Sequence, residues 1–214
     1  MTITRFWLIR HALVEATARA RVYGNQDVPV CQQTMASQLA RYTELAGLLP
    51  RPAVWLVTPL SRTRDTARAI FAAGYPTVEP AVEPSLIEQD FGDFHGLAHA
   101  EVPALLTLPA HDFWPLAGAE RPPGGESVED VIARVGAGLD RLADAHAGKD
   151  VVAVSHGGAI RAAVAHALGV GADAALRISV QNLSLTRLER HDNGAGRAWR
   201  VVSVNEIAED LPPG

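Results

Sequence analysis

The sequence predicts an α/β fold of three layers, a mostly parallel β-sheet with helices on both faces. Continuously apolar segments alternate with segments of helical periodicity, and this alternation implies right-handed crossovers between parallel strands. The apolar segments lack polar alternation, which is typical of strands covered on both faces. With 214 residues, 48% of them hydrophobic, the chain is long enough for a well-filled core, and we expect a single domain over residues 1–214.

The first predicted strand comprises residues 6–9, four apolar residues in a row, and Arg10 and His11 follow at its carboxyl end. Ligands of parallel sheets bind at that end of the strands. A polar, glycine-containing loop is expected over residues 19–29. A helix with one buried stripe is predicted from apolar residues at steps of three and four: Met35, Leu39, Tyr42, Ala46 and Leu49.

The second strand is predicted at residues 53–57, again continuously apolar, and a helix begins near Arg62. Either Ser61 or Thr58 suits the N-cap of this helix, because a hydroxyl at that position accepts a hydrogen bond from a free backbone amide. Residues 77–84 are expected to form a short strand or an extended link.

The weakest periodicity is found in residues 86–123, which we name the lid segment. Glycines and prolines interrupt it and aromatic residues are scattered through it. An excursion of this length is more often a lid or a pocket wall than a linker. Beyond it, Ser127 with Glu129 and Asp130 in the first turn predicts a strong helix start. This helix is expected to run to about Ala147, before Gly148.

The third strand is predicted at residues 150–155, and the sequence His156-Gly157-Gly158 leads from it into a helix over residues 159–168. A turn at Asp192-Asn193-Gly194 indicates a closing hairpin. Alternating patterns predict strands in three late segments: residues 177–180, 184–189 and 199–204. The Pro-Pro-Gly end of the chain is expected to fray.

Composition argues against several classes of partner. The net charge is −5 and the basic residues form no dense run, so we expect no sequence-independent binding of nucleic acid or of an anionic membrane. Cys31 is the single cysteine, which rules out an intrachain disulfide and fits a reducing compartment. The N-terminus leads directly into the first strand, and no apolar run approaches the ~20 residues that span a bilayer. We therefore expect a cytoplasmic protein.

Basic and nucleophilic side chains follow separate strands of the predicted sheet. His11 and His156 each stand at the end of a strand, Arg10 precedes the first of them, and Arg62 opens the helix after the second strand. The carboxyl ends of parallel strands meet at one edge of a sheet, so these four groups are predicted to form an anion pocket there.

The residues of this pocket lie in motifs that resemble those of the histidine phosphatase superfamily, the phosphoglycerate mutase-like fold. The pair Arg10-His11 matches the hallmark after the first strand, and residues 58–67 match the Thr-x-Leu-x-Arg-x-x-x-Thr-Ala pattern of the second arginine. Residues 86–94 match the Leu-x-Glu-x-x-Phe-Gly-x-aromatic pattern of the acidic proton donor. Residues 123–127 and 154–161 match the Pro-Gly-Gly-Glu-Ser and second-histidine motifs. The resemblance covers essentially the whole chain, in the family's order.

The resemblance implies a role for each matched residue. His11 is the nucleophile that takes the phosphoryl group, and cationic neighbours favour its neutral form. Glu88 is the general acid that protonates the leaving group and then accepts a proton from the attacking water. Phosphate oxygens are expected to be bound by four residues: Arg10, Arg62, His156 and Gly157.

This scheme needs neither a metal ion nor another cofactor. The rival interpretation is a metal site at His95 and His99, whose spacing places both rings on one face of a helix, with Asp90 and Asp93 nearby. Gly96 between the histidines and the lack of a third convincing ligand favour a solvated loop instead.

A substrate pocket is expected beside the phosphate, with four candidate lining residues: Thr17, Tyr23, Phe94 and Trp114. The chain departs from the family's pattern at Ala12, where a glycine is usual, at Leu13-Val14 instead of Glu-Thr, and at Thr17 instead of asparagine. These departures put one phosphate or leaving-group contact in question.

Three functions are consistent with the sequence. The first is a metal-independent phosphomonoester hydrolase acting on a small metabolite, with a resemblance to the α-ribazole-5'-phosphate phosphatase branch. The second is a phosphoglycerate mutase, which returns the phosphoryl group to its substrate. The third is a catalytically silent phosphoester-binding module. Between Glu88 and Glu126 the only basic residue apart from histidines is Arg121, which favours hydrolysis over the mutase reaction.

Overall fold

The computed structural model describes residues 1–194 and 196–207, and its strands form one six-stranded sheet. The strands are β1 (Thr2–Arg10), β2 (Val54–Val57), β3 (Ala81–Val82), β4 (Asp150–Ser155), β5 (Leu185–Asp192) and β6 (Arg197–Glu206). Their order is β3-β2-β4-β1-β5-β6. The first four are mutually parallel, whereas β5 is antiparallel to β1 and β6 to β5. The predicted mostly parallel sheet and the closing hairpin are confirmed.

Helices cover both faces of this sheet. They are α1 (Ala16–Arg19), α2 (Gln32–Ser37), α3 (Leu39–Leu48), α4 (Ser61–Ala72), α5 (Val128–Ala145), α6 (Gly157–Leu168) and α7 (Ala172–Leu176). Side chains of a strand alternate between its faces, so Phe6 and Leu8 of β1 pack with α5 and α6, while Ile9 packs with α3 and α4. The three-layer arrangement is therefore the predicted one.

The register of the sheet brings three chain segments to one level at its carboxyl edge. Arg10 pairs with Ser155 across β1 and β4, and Val57 pairs with Val154 across β2 and β4. His11 and His156 thus leave neighbouring strands side by side. This alignment is what positions the candidate site.

The predicted helix from Met35 to Leu49 is wrong as one element. The chain forms α2 and α3 with a break at Gln38, whose φ of −102° and ψ of 23° are not helical. Leu39, the first residue of α3, is 63% exposed although it was expected in the buried stripe. Tyr42, Ala46 and Leu49 are buried as predicted.

Two further predictions of local structure are wrong. Residues 177–180 form no strand: α7 ends at Leu176 and an irregular stretch follows. The N-cap of α4 is Leu60, which makes no side-chain capping bond. Ser61 is already the first helical residue and its hydroxyl donates to Asp27, whereas the Thr58 hydroxyl lies before the cap and contacts His156. By contrast, Ser127 caps α5 with the predicted geometry, its hydroxyl accepting from the Asp130 amide; this helix ends at Ala145 rather than at Ala147.

The lid segment contains only short 3₁₀ helices, among them Gly92–Phe94 and Val102–Leu105. It contributes four buried residues to a small apolar cluster, Phe91, Phe94, Val102 and Leu116, which pack with Val22 from the loop after α1. Among the helices of residues 1–194 and 196–207, none is long and apolar enough to cross a bilayer. The Pro-Pro-Gly end lies outside the described residues.

Candidate active site

The hydrogen bond of His11 defines which of its nitrogens has the lone pair. Its Nδ1 lies 2.7 Å from the carbonyl oxygen of Ala12. A carbonyl only accepts, so Nδ1 bears the proton and Nε2 has the free lone pair. The ring is 2% exposed.

Ala12, the departure from the usual glycine, fits without crowding the phosphate region. Its amide donates to the Thr66 hydroxyl at 2.9 Å, and its methyl group packs in the core cluster with Ile9 and Val154. The side chain is fully buried. The methyl group therefore points into the core and does not line the cavity described below.

His156 lies directly beside His11, with 5.1 Å between the ring centroids and 60° between the ring planes. Its Nδ1 accepts a hydrogen bond from Nε of Arg62 at 3.3 Å. Because Nδ1 is the acceptor, Nε2 carries the proton and donates to the Thr58 hydroxyl at 2.9 Å. His156 thus links the arginine of α4 to the end of β2.

Arg62 is fully buried and is held by the loop that follows α1. Its Nη1 donates to the carbonyl of Gln26 and its Nη2 to that of Gly24, both at 2.6 Å. The guanidinium also lies 5.5 Å from the centroid of the Tyr23 ring. These contacts leave one N–H on each terminal nitrogen available to an anion.

Arg10 presents a buried donor without a partner. Its Nη1 donates to the Val180 carbonyl at 2.6 Å, but its Nε has no hydrogen-bond acceptor among the described residues. Gly157 lies against this group, since a Cβ there would be 3.3 Å from the Arg10 Nε. An unpaired buried guanidinium nitrogen at a helix N-terminus is the environment that an oxyanion requires.

Both imidazoles are neutral because of their surroundings. Burial, followed by the positive charges of Arg62 and Arg10, lowers the pKa of His11 well below its usual range, against the opposing effect of its hydrogen bond to Ala12. Burial is also the largest cause of the strongly lowered pKa of His156, with His11, Arg62 and Arg10 next. A neutral His11 keeps the lone pair that nucleophilic attack needs.

The lowered pKa values predict acid sensitivity of the fold. As the pH falls below about 6.5, the unfolded chain binds protons at these histidines that the folded chain does not. The free energy of unfolding is therefore expected to fall by up to about 1.4 kcal/mol per pH unit for each histidine. Urea unfolding between pH 8 and pH 5 measures this slope, which should flatten in the double variant His11→Gln, His156→Gln. An exposed-histidine control, His99→Gln, should keep the wild-type slope; equal slopes in all three proteins would contradict the assignment.

The carboxyl group of Glu88 lies at the N-terminus of α6. Its Oε2 accepts from the Gly158 amide at 3.1 Å and its Oε1 from the Gln89 amide at 3.0 Å. A Cβ at position 158 would stand 2.2 Å from Oε1, so the glycine is what permits this approach. The same glycine pair that opens α6 thus makes room for Arg10 and for Glu88.

A cavity of about 490 Å³ opens next to these groups, a size typical of small-molecule sites. Arg10, Glu88 and Gly157 lie on its surface, together with Tyr23 and Trp114. The three fully buried groups are adjacent to this lining: His11 follows Arg10, His156 precedes Gly157, and Arg62 donates to Gly24, another lining residue.

Two of the four residues expected in the substrate pocket do not line the cavity. Thr17 lies on the short helix α1, which buries none of its residues, and its side chain is exposed to solvent. Phe94 is 4% exposed because it packs in the apolar cluster of the lid segment, with Val22 and Leu116. Tyr23 and Trp114 lie on the cavity as predicted from the sequence.

The histidines of the rival metal site are engaged separately. The His95 Nε2 accepts from the Phe91 amide at 3.2 Å, and the His99 Nε2 lies 3.1 Å from the Arg19 carbonyl. Both residues lie in loops, so the helical spacing that would align their rings is absent. In the described part of the chain, no group of three or more His, Cys, Asp or Glu residues is arranged to hold a metal ion.

Sequence reasoning missed several residues of the site. Thr58 was considered as a helix cap and as the first residue of the second-arginine motif but was given no role at the site, although its hydroxyl contacts His156. Arg19, Arg21 and Arg161 line the cavity and were given no role. A signal existed for Arg161: it follows Gly157 by four residues on α6, so it lies on the same helix face as the N-terminal turn. No comparable signal exists for Arg19, the last residue of α1, or for Arg21 just after it.

Comparisons of the sequence with known proteins found a family and several relatives. The family model of the histidine phosphatase superfamily (branch 1) matches residues 6–207. A bifunctional protein of Mycobacterium tuberculosis is 33% identical over 197 residues, which cover 91% of this chain and 52% of that protein. A 2,3-bisphosphoglycerate-dependent phosphoglycerate mutase of Rhizobium etli is 30% identical over 129 residues, 60% of this chain and 62% of the mutase.

Among solved structures, the native mycobacterial glucosyl-3-phosphoglycerate phosphatase is 26% identical and superimposes with a TM-score of 0.75, covering 95% of this chain and 99% of that one. The chain spans about half the length of the first curated relatives it matches. Because the family model extends over nearly the whole chain, and its matched histidines and arginines converge at one sheet edge, the chain belongs to branch 1 of the histidine phosphatase superfamily.

Proposed function

We propose that this chain is a metal-independent phosphomonoester hydrolase that works through a phosphohistidine intermediate. The observation that supports it most is the convergence of two neutral imidazoles, His11 and His156, with the guanidinium groups of Arg10 and Arg62. One edge of the sheet then has the groups that the reaction needs: a nucleophile, cationic donors for the phosphoryl oxygens, and the carboxyl group of Glu88.

In the first step, the His11 Nε2 attacks phosphorus and the ester P–O bond breaks. The free N–H groups of Arg10 and Arg62 bind the equatorial oxygens and stabilise the charge that develops on them. Glu88 delivers its proton to the leaving alkoxide, which departs as an alcohol. His156 holds Arg62 in place, and it would have to release Arg62 or Thr58 before donating to a phosphoryl oxygen itself.

In the second step, water attacks the phosphohistidine. Glu88, now ionised, accepts the water proton, the P–N bond breaks, and the electron pair returns to the His11 Nε2. The products are the alcohol from the first step and inorganic phosphate. Glu88 ends protonated and His11 ends neutral, ready for another substrate.

The mutase reaction is the second candidate, because relatives with that function match 60% of this chain. A mutase must retain a phosphorylated intermediate and guide it to reorient. Arg121, the one basic residue between Glu88 and Glu126 apart from histidines, donates to Asp130 at 2.6 Å and is therefore engaged in an ion pair. This observation favours hydrolysis.

The substrate is proposed to be a small phosphorylated metabolite, for which the size of the cavity is adequate. The sequence resemblance makes α-ribazole-5'-phosphate one candidate. A cytoplasmic location belongs to the same proposal and is supported by the use of a single cysteine, Cys31.

A direct assay separates the candidates. The protein should hydrolyse p-nitrophenyl phosphate in the presence of EDTA, and it should release phosphate from 3-phosphoglycerate whether or not 2,3-bisphosphoglycerate is added. Bisphosphate-stimulated formation of 2-phosphoglycerate would instead select the mutase. Binding of vanadate without turnover of any ester would select the binding module and overturn the proposal.

A further inference from the structure

The cavity next to the proposed phosphate site contains more positive charge than one phosphoryl group requires. In addition to Arg10, the guanidinium-bearing residues Arg19, Arg21 and Arg161 line it. Glu88 is the one carboxylate among the lining residues. The proposed chemistry uses Arg10, Arg62 and Glu88, so the charges of the other three arginines have no assigned function.

These three arginines lack acidic partners. Most arginines elsewhere pair with carboxylates, such as Arg41 with Glu44 and Arg134 with Glu126. Neither Arg19, nor Arg21, nor Arg161 forms an ion pair with a carboxylate of residues 1–194 or 196–207. Their charges therefore remain available to a bound molecule.

Each guanidinium is nevertheless held in position by a backbone carbonyl. The Nε of Arg19 donates to Val14 at 3.1 Å, and the Nη1 of Arg21 donates to Gly96 at 2.6 Å. The Nε of Arg161 donates to Ile178 at 2.8 Å. Every one of these contacts uses one edge of the guanidinium and leaves other N–H groups free, the arrangement that binds carboxylate or phosphate with two parallel hydrogen bonds.

Arg161 is the most constrained of the three. Its guanidinium carbon lies 4.8 Å from the centroid of the Trp114 ring, which also lines the cavity. Burial is the largest cause of its lowered pKa, with the charge of Glu88 opposing that effect. A half-buried cation without a directly bonded carboxylate is costly in the free protein, and an anionic ligand would offset that cost.

We infer that Arg19, Arg21 and Arg161 form a second anion subsite, and that the substrate is a phosphomonoester carrying a further negative group, a carboxylate or a second phosphate. This inference rests on the proposed function and narrows its substrate class. The scissile phosphoryl group lies at Arg10 and Arg62. The second anion lies on the side of the cavity formed by Arg19, Arg21 and Arg161. A substrate with one phosphate and an otherwise neutral skeleton, such as α-ribazole-5'-phosphate, is then disfavoured.

Matched substrates that differ only in the second charge test this subsite. Glycerol 3-phosphate has a hydroxymethyl group where 3-phosphoglycerate has its carboxylate, and sorbitol 6-phosphate is related to 6-phosphogluconate in the same way. We expect kcat/KM to be at least about tenfold higher for the carboxylated member of one or both pairs, the effect of one charge-assisted hydrogen-bonded pair. This preference should decrease as the salt concentration rises, because Arg19 and Arg21 are exposed.

Variants then assign the preference to the arginines. In Arg161→Gln and Arg21→Gln, kcat/KM should fall about tenfold more for the carboxylated substrate than for its neutral partner, and Arg161→Lys should restore part of the preference. The matched control is Arg68→Gln, which removes the same charge from an exposed position paired with Asp65; it should keep the wild-type ratio.

The outcomes separate the two proposals. Hydrolysis of both members of each pair at equal kcat/KM, or equal losses on both members in the Arg161 and Arg21 variants, would overturn the second subsite while leaving the hydrolase intact. Absence of hydrolysis with every ester, p-nitrophenyl phosphate included, would overturn the proposed function and the subsite with it.

Discussion

Replacing His11 with alanine is expected to lower kcat for phosphomonoester hydrolysis by at least about 10³-fold, because the variant lacks the atom that accepts the phosphoryl group in the proposed mechanism. In the wild type, the neutral imidazole presents Nε2 while Nδ1 is fixed on the Ala12 carbonyl. No neighbouring group replaces it: the Nε2 of His156 is engaged with the Thr58 hydroxyl and its Nδ1 with Arg62. Initial rates with p-nitrophenyl phosphate and with an alkyl phosphate measure the loss.

A second measurement distinguishes loss of the nucleophile from loss of the fold. Arg10 and Arg62 remain in the His11 variant, so vanadate or inorganic phosphate should still bind and raise the thermal unfolding midpoint. Rapid acid-free quenching after mixing with labelled substrate should detect a phosphorylated wild-type protein and an unlabelled variant. The control is His191→Ala at the opposite end of the sheet, where His191 pairs with Ile3 at the start of β1. Full activity of the His11 variant would refute the phosphohistidine route.

Replacing Glu88 with glutamine is expected to reduce kcat/KM by about 10²- to 10⁴-fold for alkyl phosphates, which is the usual contribution of general acid catalysis. The effect on kcat/KM for p-nitrophenyl phosphate should be far smaller, since p-nitrophenolate leaves without a proton. Glutamine is a suitable replacement because its side-chain oxygen can still accept from the Gly158 or Gln89 amide.

The same variant should accumulate the intermediate. Without a carboxylate to activate water, breakdown of phosphohistidine becomes slow, and p-nitrophenyl phosphate should produce a burst of p-nitrophenol close to one equivalent of enzyme. Glu126→Gln is a useful comparison, because Glu126 pairs with Arg134 rather than lying on the cavity. If Glu88→Gln lost equal activity on both leaving groups and showed no burst, the acid would have to be another residue.

Much of the fold could be predicted from local patterns. The apolar strands at residues 6–9 and 150–155, and the Ser127 cap of α5, depend on side chains close together in the sequence, and the structure has them in the expected places. The break at Gln38 and the irregular chain after Leu176 were not predictable in this way. Periodicity and propensity are weak guides at such positions, because tertiary context can override them.

For the candidate site, the sequence was sufficient to name Arg10, His11, Arg62 and His156, because each lies at a strand end or a helix start. Glu88 lies in the irregular lid segment and was named only because residues 86–94 resemble a motif of the family. The sequence was not sufficient to give their hydrogen-bonding states. The neutral form of His11 was expected from its cationic neighbours, but the protonated nitrogen was not: it depends on the backbone conformation that brings the Ala12 carbonyl within 2.7 Å of Nδ1, in a buried environment.

The cluster of Arg19, Arg21 and Arg161 shows the same limit most clearly. Arg19 ends α1, Arg21 follows it, and Arg161 lies on α6, about 140 positions later in the chain. Residue type and order were enough to indicate an anion-binding α/β protein, because those signals are local and chemical. Which charges share one cavity, and which lack an acidic partner, was settled only by the folded chain, because folding brings these distant segments to one cavity, where Coulomb interaction and desolvation become large.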